Sequence, residues 1–212
     1  MTKLFNRLNV ALVLALLLAT LFGFVLIPAG EKLPAHWNIH GVVDRFGPRN
    51  QVLIVMPLFA AASGALLAGI ELIIEGTGRG DVSRQFTLAL SVVLTLFAAM
   101  QASTILIGMG HSIDVPRVVA IVQGLGLVVI GNMLPKRGPN TVSGTTKNEA
   151  QHRYRVQKVM GILFILAGVV LLLAAMIAAS PKWLFVLNIG GVAVAATSGT
   201  LYAFLPSKSN EA

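Results

Sequence analysis

The sequence predicts an all-α protein, a polytopic membrane bundle of about six transmembrane helices forming a single membrane domain over residues 1–212. Three observations carry this prediction. First, 56% of the 212 residues are hydrophobic and only 11% are charged, whereas soluble domains run at about 45–50% and about 25%. Second, the mean hydropathy is +0.82, an excess that a water-soluble core of this size cannot hide. Third, the apolar residues fall in blocks matching the roughly 20 residues with which a helix crosses a hydrocarbon layer about 30 Å thick.

The blocks run Leu8–Ile27, Val52–Ile74, Phe86–Gly108, Val118–Leu134, Val159–Ala179 and Leu184–Leu205. The first lacks a small-x-small cleavage site and is longer than the about 7–15 residues of a signal-peptide core, so it reads as a retained helix. Two connections are long: residues 30–51, an extracytoplasmic motif loop, and residues 135–157, a basic cytoplasmic loop. The other connections are short and make consecutive helices antiparallel neighbours.

Lys and Arg orient the chain. With the N-terminus inside, the inner segments hold Lys3, Arg7, Arg79, Arg84, Lys136, Arg137, Lys147, Arg153, Arg155, Lys158 and Lys208. The outer segments hold only Lys32, Arg45, Arg49, Arg117 and Lys182. Both termini are therefore expected in the cytoplasm, with Trp37 and His111 outside. The net charge of +8 reflects this bias and attraction to anionic membrane lipid, so no nucleic-acid partner is expected. There is no cysteine, which excludes disulfides and thiolate metal sites.

Within the apolar blocks, Ala60, Gly64 and Ala68, and likewise Gly191, Ala195 and Gly199, form small-residue stripes that suit close helix packing in lipid. Gln101, Gln123 and Asn188 are expected to hydrogen-bond between helices. Glu71 is the one acid inside a block. An intramembrane carboxylate suggests proton coupling, but this one lies near the inner end, where snorkelling toward Arg79 and Arg84 is the simpler reading. Asn132 is placed to bond the open carbonyls ending the fourth helix before Pro135 stops it.

The outer loop gathers His36, Trp37, Asn38, His40, Gly41 and Asp44. Gly41 suits a tight turn through positive φ, Asn38 and Asp44 suit capping of that turn, and Trp37 suits the interface. The bland reading is a structured cap over the bundle. The sharper one is a contact patch for a ligand or peptide. His36, His40 and Asp44 would share one face of a helix, with His111 on the same side of the membrane, which is a metal-ligand pattern. Pro34 and Gly41 argue for a turn instead, so neither a metal nor any other cofactor is expected.

This loop resembles the extracytoplasmic domain of SdpI-type bacterial membrane proteins, in which a proline precedes His-Trp-Asn, then Gly, then Asp. Here these are Pro34, His36, Trp37, Asn38, Gly41 and Asp44. A second point of similarity is Gly131-Asn132-Met133-Leu134-Pro135 followed by Asn140 and Gly144. The family's Arg-Thr and Trp residues are replaced there by Thr145-Thr146-Lys147. The resemblance implies six helices in the bacterial inner membrane and a non-catalytic role in immunity to a secreted toxic peptide or in membrane signalling. It also implies the outer motif as the contact for that extracellular peptide and a cytoplasmic repressor as a second partner. The rivals are a proton-coupled exporter, which needs Glu71, and a membrane enzyme using His36 and Asp44 with a metal.

Overall fold

A computed structural model describes residues 6–76, 83–134, 147–177 and 180–204. It contains six helices: α1 (Arg7–Leu26), α2 (Arg49–Gly76), α3 (Ser83–Gly108), α4 (Val115–Met133), α5 (Lys147–Met176) and α6 (Pro181–Phe204). Five of them, α1 to α5, contain stretches long and apolar enough to cross a membrane. Large apolar side chains point outward all along the bundle, such as Val25 (73% exposed) and Met176 (79% exposed). A water-soluble protein rarely presents so much contiguous apolar surface. The chain is an integral membrane protein, and those side chains meet lipid.

Two elements depart from the sequence-based expectation. The outer loop is a two-stranded antiparallel sheet of β1 (Lys32–Trp37) and β2 (Val43–Pro48). The expected basic loop over 135–157 is helical from Lys147 onward, because α5 begins a dozen residues before its apolar part. Hydropathy marks only where a helix enters lipid, and a polar helical extension carries no such mark.

The helices form two halves. In the first, Leu16 of α1, Ala60 of α2, and Leu90 and Leu94 of α3 make a buried core. In the second, Ala120 and Leu127 of α4, Leu171, Ala174 and Ala175 of α5, and Leu184 of α6 make another. The halves join where α3 packs on α4, and among the described residues no substantial interface links α2 to α6.

The tightest packing is between α4 and α5. A methyl group placed on Gly168 would lie 2.5 Å from the Gly124 carbonyl oxygen, and one on Gly131 would lie 2.5 Å from the Gly161 carbonyl oxygen. Gly124 faces Gly168 while Gly131 faces Gly161, so the helices are antiparallel and touch backbone to backbone at points two turns apart. The Ala60–Gly64–Ala68 stripe faces α1 and α3 as a packing stripe would, with Ala60 in the buried core and Ala68 against it. It lines a cavity of about 500 Å³ with Val13, Leu16, Leu90 and Leu94, so small side chains there leave space between α1, α2 and α3. The side chains of the Gly191, Ala195 and Gly199 stripe lie outside the described ones.

Some polar side chains within the bundle are tied across helices, whereas Asn188, expected to do the same, donates to the Leu184 carbonyl of its own helix (2.8 Å). Gln101, fully buried, donates to Thr20 Oγ1 (3.0 Å) on α1 and to the Leu53 carbonyl (3.1 Å) on α2. Gln123 on α4 donates to the Asn188 carbonyl (3.1 Å) on α6. Near the far end, buried Asn9 donates to the Thr87 carbonyl (3.1 Å) and accepts from Ser91 Oγ (2.5 Å), joining α1 to α3. In lipid such bonds matter because no water competes for the groups.

Candidate functional site: a hairpin-roofed cleft

The hairpin is rooted in the first half. Leu33 is buried with Ile27, Leu53 and Ile105, a burial that contributes about 2 kcal/mol if it leaves water. The base is clamped by Arg49, a residue that sequence reasoning counted only as a charge. Its guanidinium donates to the Phe24 carbonyl (3.3 Å) and the Ile27 carbonyl, and it lies 5.3 Å from the centre of the Phe24 ring. These are the open carbonyls at the end of α1, where a cation is favoured by the helix dipole.

Asn38 builds the turn. Its side-chain oxygen accepts from the backbone N–H of His40 (2.9 Å) and Val42 (3.1 Å). Its carbonyl accepts from the Gly41 N–H (2.9 Å), and its own N–H donates to the Val42 carbonyl (2.9 Å). Gly41 takes φ +72°, so the expected turn with a left-handed glycine is present. A Cβ on Gly41 would also lie 2.8 Å from Pro181 Cβ and 3.0 Å from Pro116 Cγ. The tip therefore rests on the first residues of α4 and α6. The hairpin starts on one half of the bundle and ends on the other, as a strap across the line between them.

Asp44 does not cap the turn as expected. It lies on β2, and its Oδ1 is 2.6 Å from His36 Nδ1 on β1. The helical face that would have joined His36, His40 and Asp44 is not formed: His36 and Asp44 sit on paired strands and His40 in the turn between them. Among the described residues, no three His, Cys, Asp or Glu side chains gather in a metal-binding group. His111 lies at the same end of the bundle, in the α3–α4 connection, and is exposed.

Beneath the strap is a cavity of about 710 Å³. His36, Trp37, Asn38, Arg45 and Phe46 line it from the hairpin, and Gln51, Val52, Val55 and Met56 from α2. Met100 and Thr104 of α3, Val119 and Gln123 of α4, and Phe185, Asn188 and Ile189 of α6 complete it. Its size falls in the range of about 300–1,000 Å³ typical of small-molecule sites, and its walls are mainly apolar with a few polar groups. Three of the motif residues, His36, Trp37 and Asn38, are thus brought to one site. Gly41 positions them, and Asp44 holds His36.

The remaining candidates lie elsewhere. Glu71 is 1% exposed; Arg79 and the side chain of Arg84, toward which it is expected to reach, lie outside the described residues. Glu71 follows Leu67 and Ala68, which pack on the first-half core, and it is not one of the described residues that line the cleft. Gly131 serves the α4–α5 contact. Asn132 is exposed near the end of α4, and among the described residues its side chain bonds no helix-end carbonyl. Pro135, Asn140 and Gly144 lie outside the described residues.

Sequence reasoning missed Arg49, Asn9 and the cleft itself. A basic residue shortly before an apolar block, for Arg49, and a polar residue in the first turn of one, for Asn9, are the available signals, but both are common flanking features.

This geometry defines a membrane helix bundle with a ligand-sized cleft under an extramembrane hairpin. Residues 11–61 match the family model described as a domain of unknown function (DUF1648). The match takes in most of α1, the whole hairpin and the first part of α2, less than half of the chain. No curated protein and no solved structure matches the chain.

Proposed function

We propose that this chain is a non-catalytic bacterial membrane protein of SdpI type, which confers immunity to a toxic peptide, or signals its presence, by contacting it at the hairpin. The observation that carries the reading is the strap: Trp37 and Asn38, the centre of the motif, sit where the two halves of the bundle are bridged. A peptide binding there would act on both halves at once. The Lys and Arg distribution supports an orientation with the hairpin outside and both termini in the cytoplasm. A repressor in the cytoplasm would then meet the polar start of α5, where Arg155 and Lys158 are exposed.

The orientation has a direct test, because the chain has no native cysteine. A single cysteine replacing His40 is expected to react in intact cells with a membrane-impermeant thiol reagent, and one replacing Thr145 is not. Labelling at 145 but not at 40 would reverse the topology.

The burial of Glu71 favours one second reading, a proton-coupled exporter. One comparison separates the two, in a strain that depends on this protein to survive a toxic peptide. Trp37→Ala and Asp44→Asn are expected to abolish protection at matched membrane levels, and Glu71→Gln to retain it. An exposed His–Asp pair contributes only about 0–1 kcal/mol, so Asp44→Asn leaves the hairpin folded. If Glu71→Gln alone removes protection, the exporter is the better account.

A further inference from the structure

We infer that the cleft is also a lipid site, taking an anionic phospholipid from the leaflet on the hairpin side, with its phosphate at Arg45 and one acyl chain between α2 and α6. This goes beyond the peptide reading and stands or falls separately from it.

The first support is the shape of the cleft. It is backed by α3 and α4 and roofed by the hairpin, but among the described residues its flanking helices α2 and α6 share no substantial interface. It therefore opens sideways, toward the bilayer. On α6 its lining runs from Pro181 to Ile189, a depth of about 12 Å at about 1.5 Å per residue. That is most of one leaflet's half of a hydrocarbon layer about 30 Å thick.

The second support is the distribution of chemistry with depth. The roof end carries Arg45, His36 and Gln51, and the deeper walls are mainly apolar, with Met56, Met100 and Ile189 beside the amides of Gln123 and Asn188. Arg45 has no ion-pair partner among the described residues. The neighbouring carboxylate of Asp44 is held by His36, and that of Asp114 lies 3.4 Å from Arg117 Nε. A cation left unpaired above an apolar slot that opens to lipid is complementary to a phosphate bearing an acyl chain.

The two tryptophans make the test internal. Trp37 lines the cleft, while Trp183 is 62% exposed on the outer side of α6. The full chain with Trp183→Phe is reconstituted in phosphatidylcholine containing a small fraction of either phosphatidylglycerol or phosphatidylcholine brominated near the head of one chain. Brominated phosphatidylglycerol is expected to quench Trp37 with about five-fold higher apparent affinity, the preference one Arg near an anionic headgroup supports. Arg45→Gln should erase the preference and Arg45→Lys should keep it. The Trp37→Phe protein, which reports Trp183, should show no preference. Millimolar inorganic phosphate should not relieve the quenching.

Equal quenching of Trp37 by the two lipids would mean adventitious boundary lipid only. Persistence of the preference in Arg45→Gln would remove the proposed headgroup contact. Relief by inorganic phosphate would reveal an anion site with no role for the chain. Each of these outcomes overturns the proposal.

Discussion

Replacing Gly168 with Leu is expected to unfold the second half of the bundle. At this position a Cβ alone would sit 2.5 Å from the Gly124 carbonyl oxygen and 3.0 Å from the Val128 amide nitrogen. Both are backbone atoms and cannot rotate away as a side-chain end could. The helices must separate, and the second contact, Gly131 against Gly161, separates with them because α4 is a rigid rod. Overpacking a well-filled core costs about 1–3 kcal/mol even when neighbours can adjust, so loss here should reach or exceed that range. The measurement is thermal unfolding of the detergent-solubilised protein, followed by the monodisperse fraction on size exclusion. Gly69→Ala on α2 is the control, since a Cβ there meets nothing within 4 Å. It should be neutral or stabilising by up to about 1 kcal/mol, as for helical glycines with room for a methyl group. Equal behaviour of the two variants would mean that α4 and α5 do not meet at their glycines.

Gly41→Val is expected to lift the hairpin tip from its seat while the bundle stays folded. Two costs fall on one residue. A left-handed backbone conformation costs an ordinary residue about 1–2 kcal/mol, and more for a β-branched one. The new side chain would also collide with Pro116 and Pro181. The readout is a cysteine replacing Pro181, which the tip covers. Its reaction with an impermeant thiol reagent should speed up about tenfold when Gly41 becomes Val, the factor that corresponds to about 1.4 kcal/mol of lost docking. An unchanged rate would show that the tip is not held at α6.

The helices were legible because crossing lipid demands an apolar block, and five of the six observed helices contain one that meets the length and composition of a span. The start of α5 was not, since residues from Lys147 to Lys158 are polar and a helix outside the membrane needs no apolar signal. The hairpin was half legible. Asn38 and Gly41 announced a turn through their own chemistry, but the flanking strands are six residues each and lack a clean alternation of buried and exposed positions. Their register also shifts between Pro34 and His36 and between His36 and Trp37. Four-residue spacing of small residues drew attention to Ala60, Gly64 and Ala68. The backbone contact lies instead at glycines two turns apart on α4 and α5, a pattern that becomes meaningful only once the partner helix is known. The cleft was not legible at all, because it is made by residues from the hairpin and four helices that no local pattern connects.

The strap also has a consequence for how the protein is made. Chains are synthesised and inserted from the N-terminus. The hairpin is therefore made before Pro116 and Pro181. Its root can settle once α3 supplies Ile105, but its tip finds only the Pro116 part of its seat until the sixth helix begins. The seat at Pro181 makes the position of the hairpin depend on a helix made well after it. Protease resistance of the hairpin in a pulse-labelled cell would then act as a clock, reporting completion of the whole bundle rather than folding of the segment that carries it.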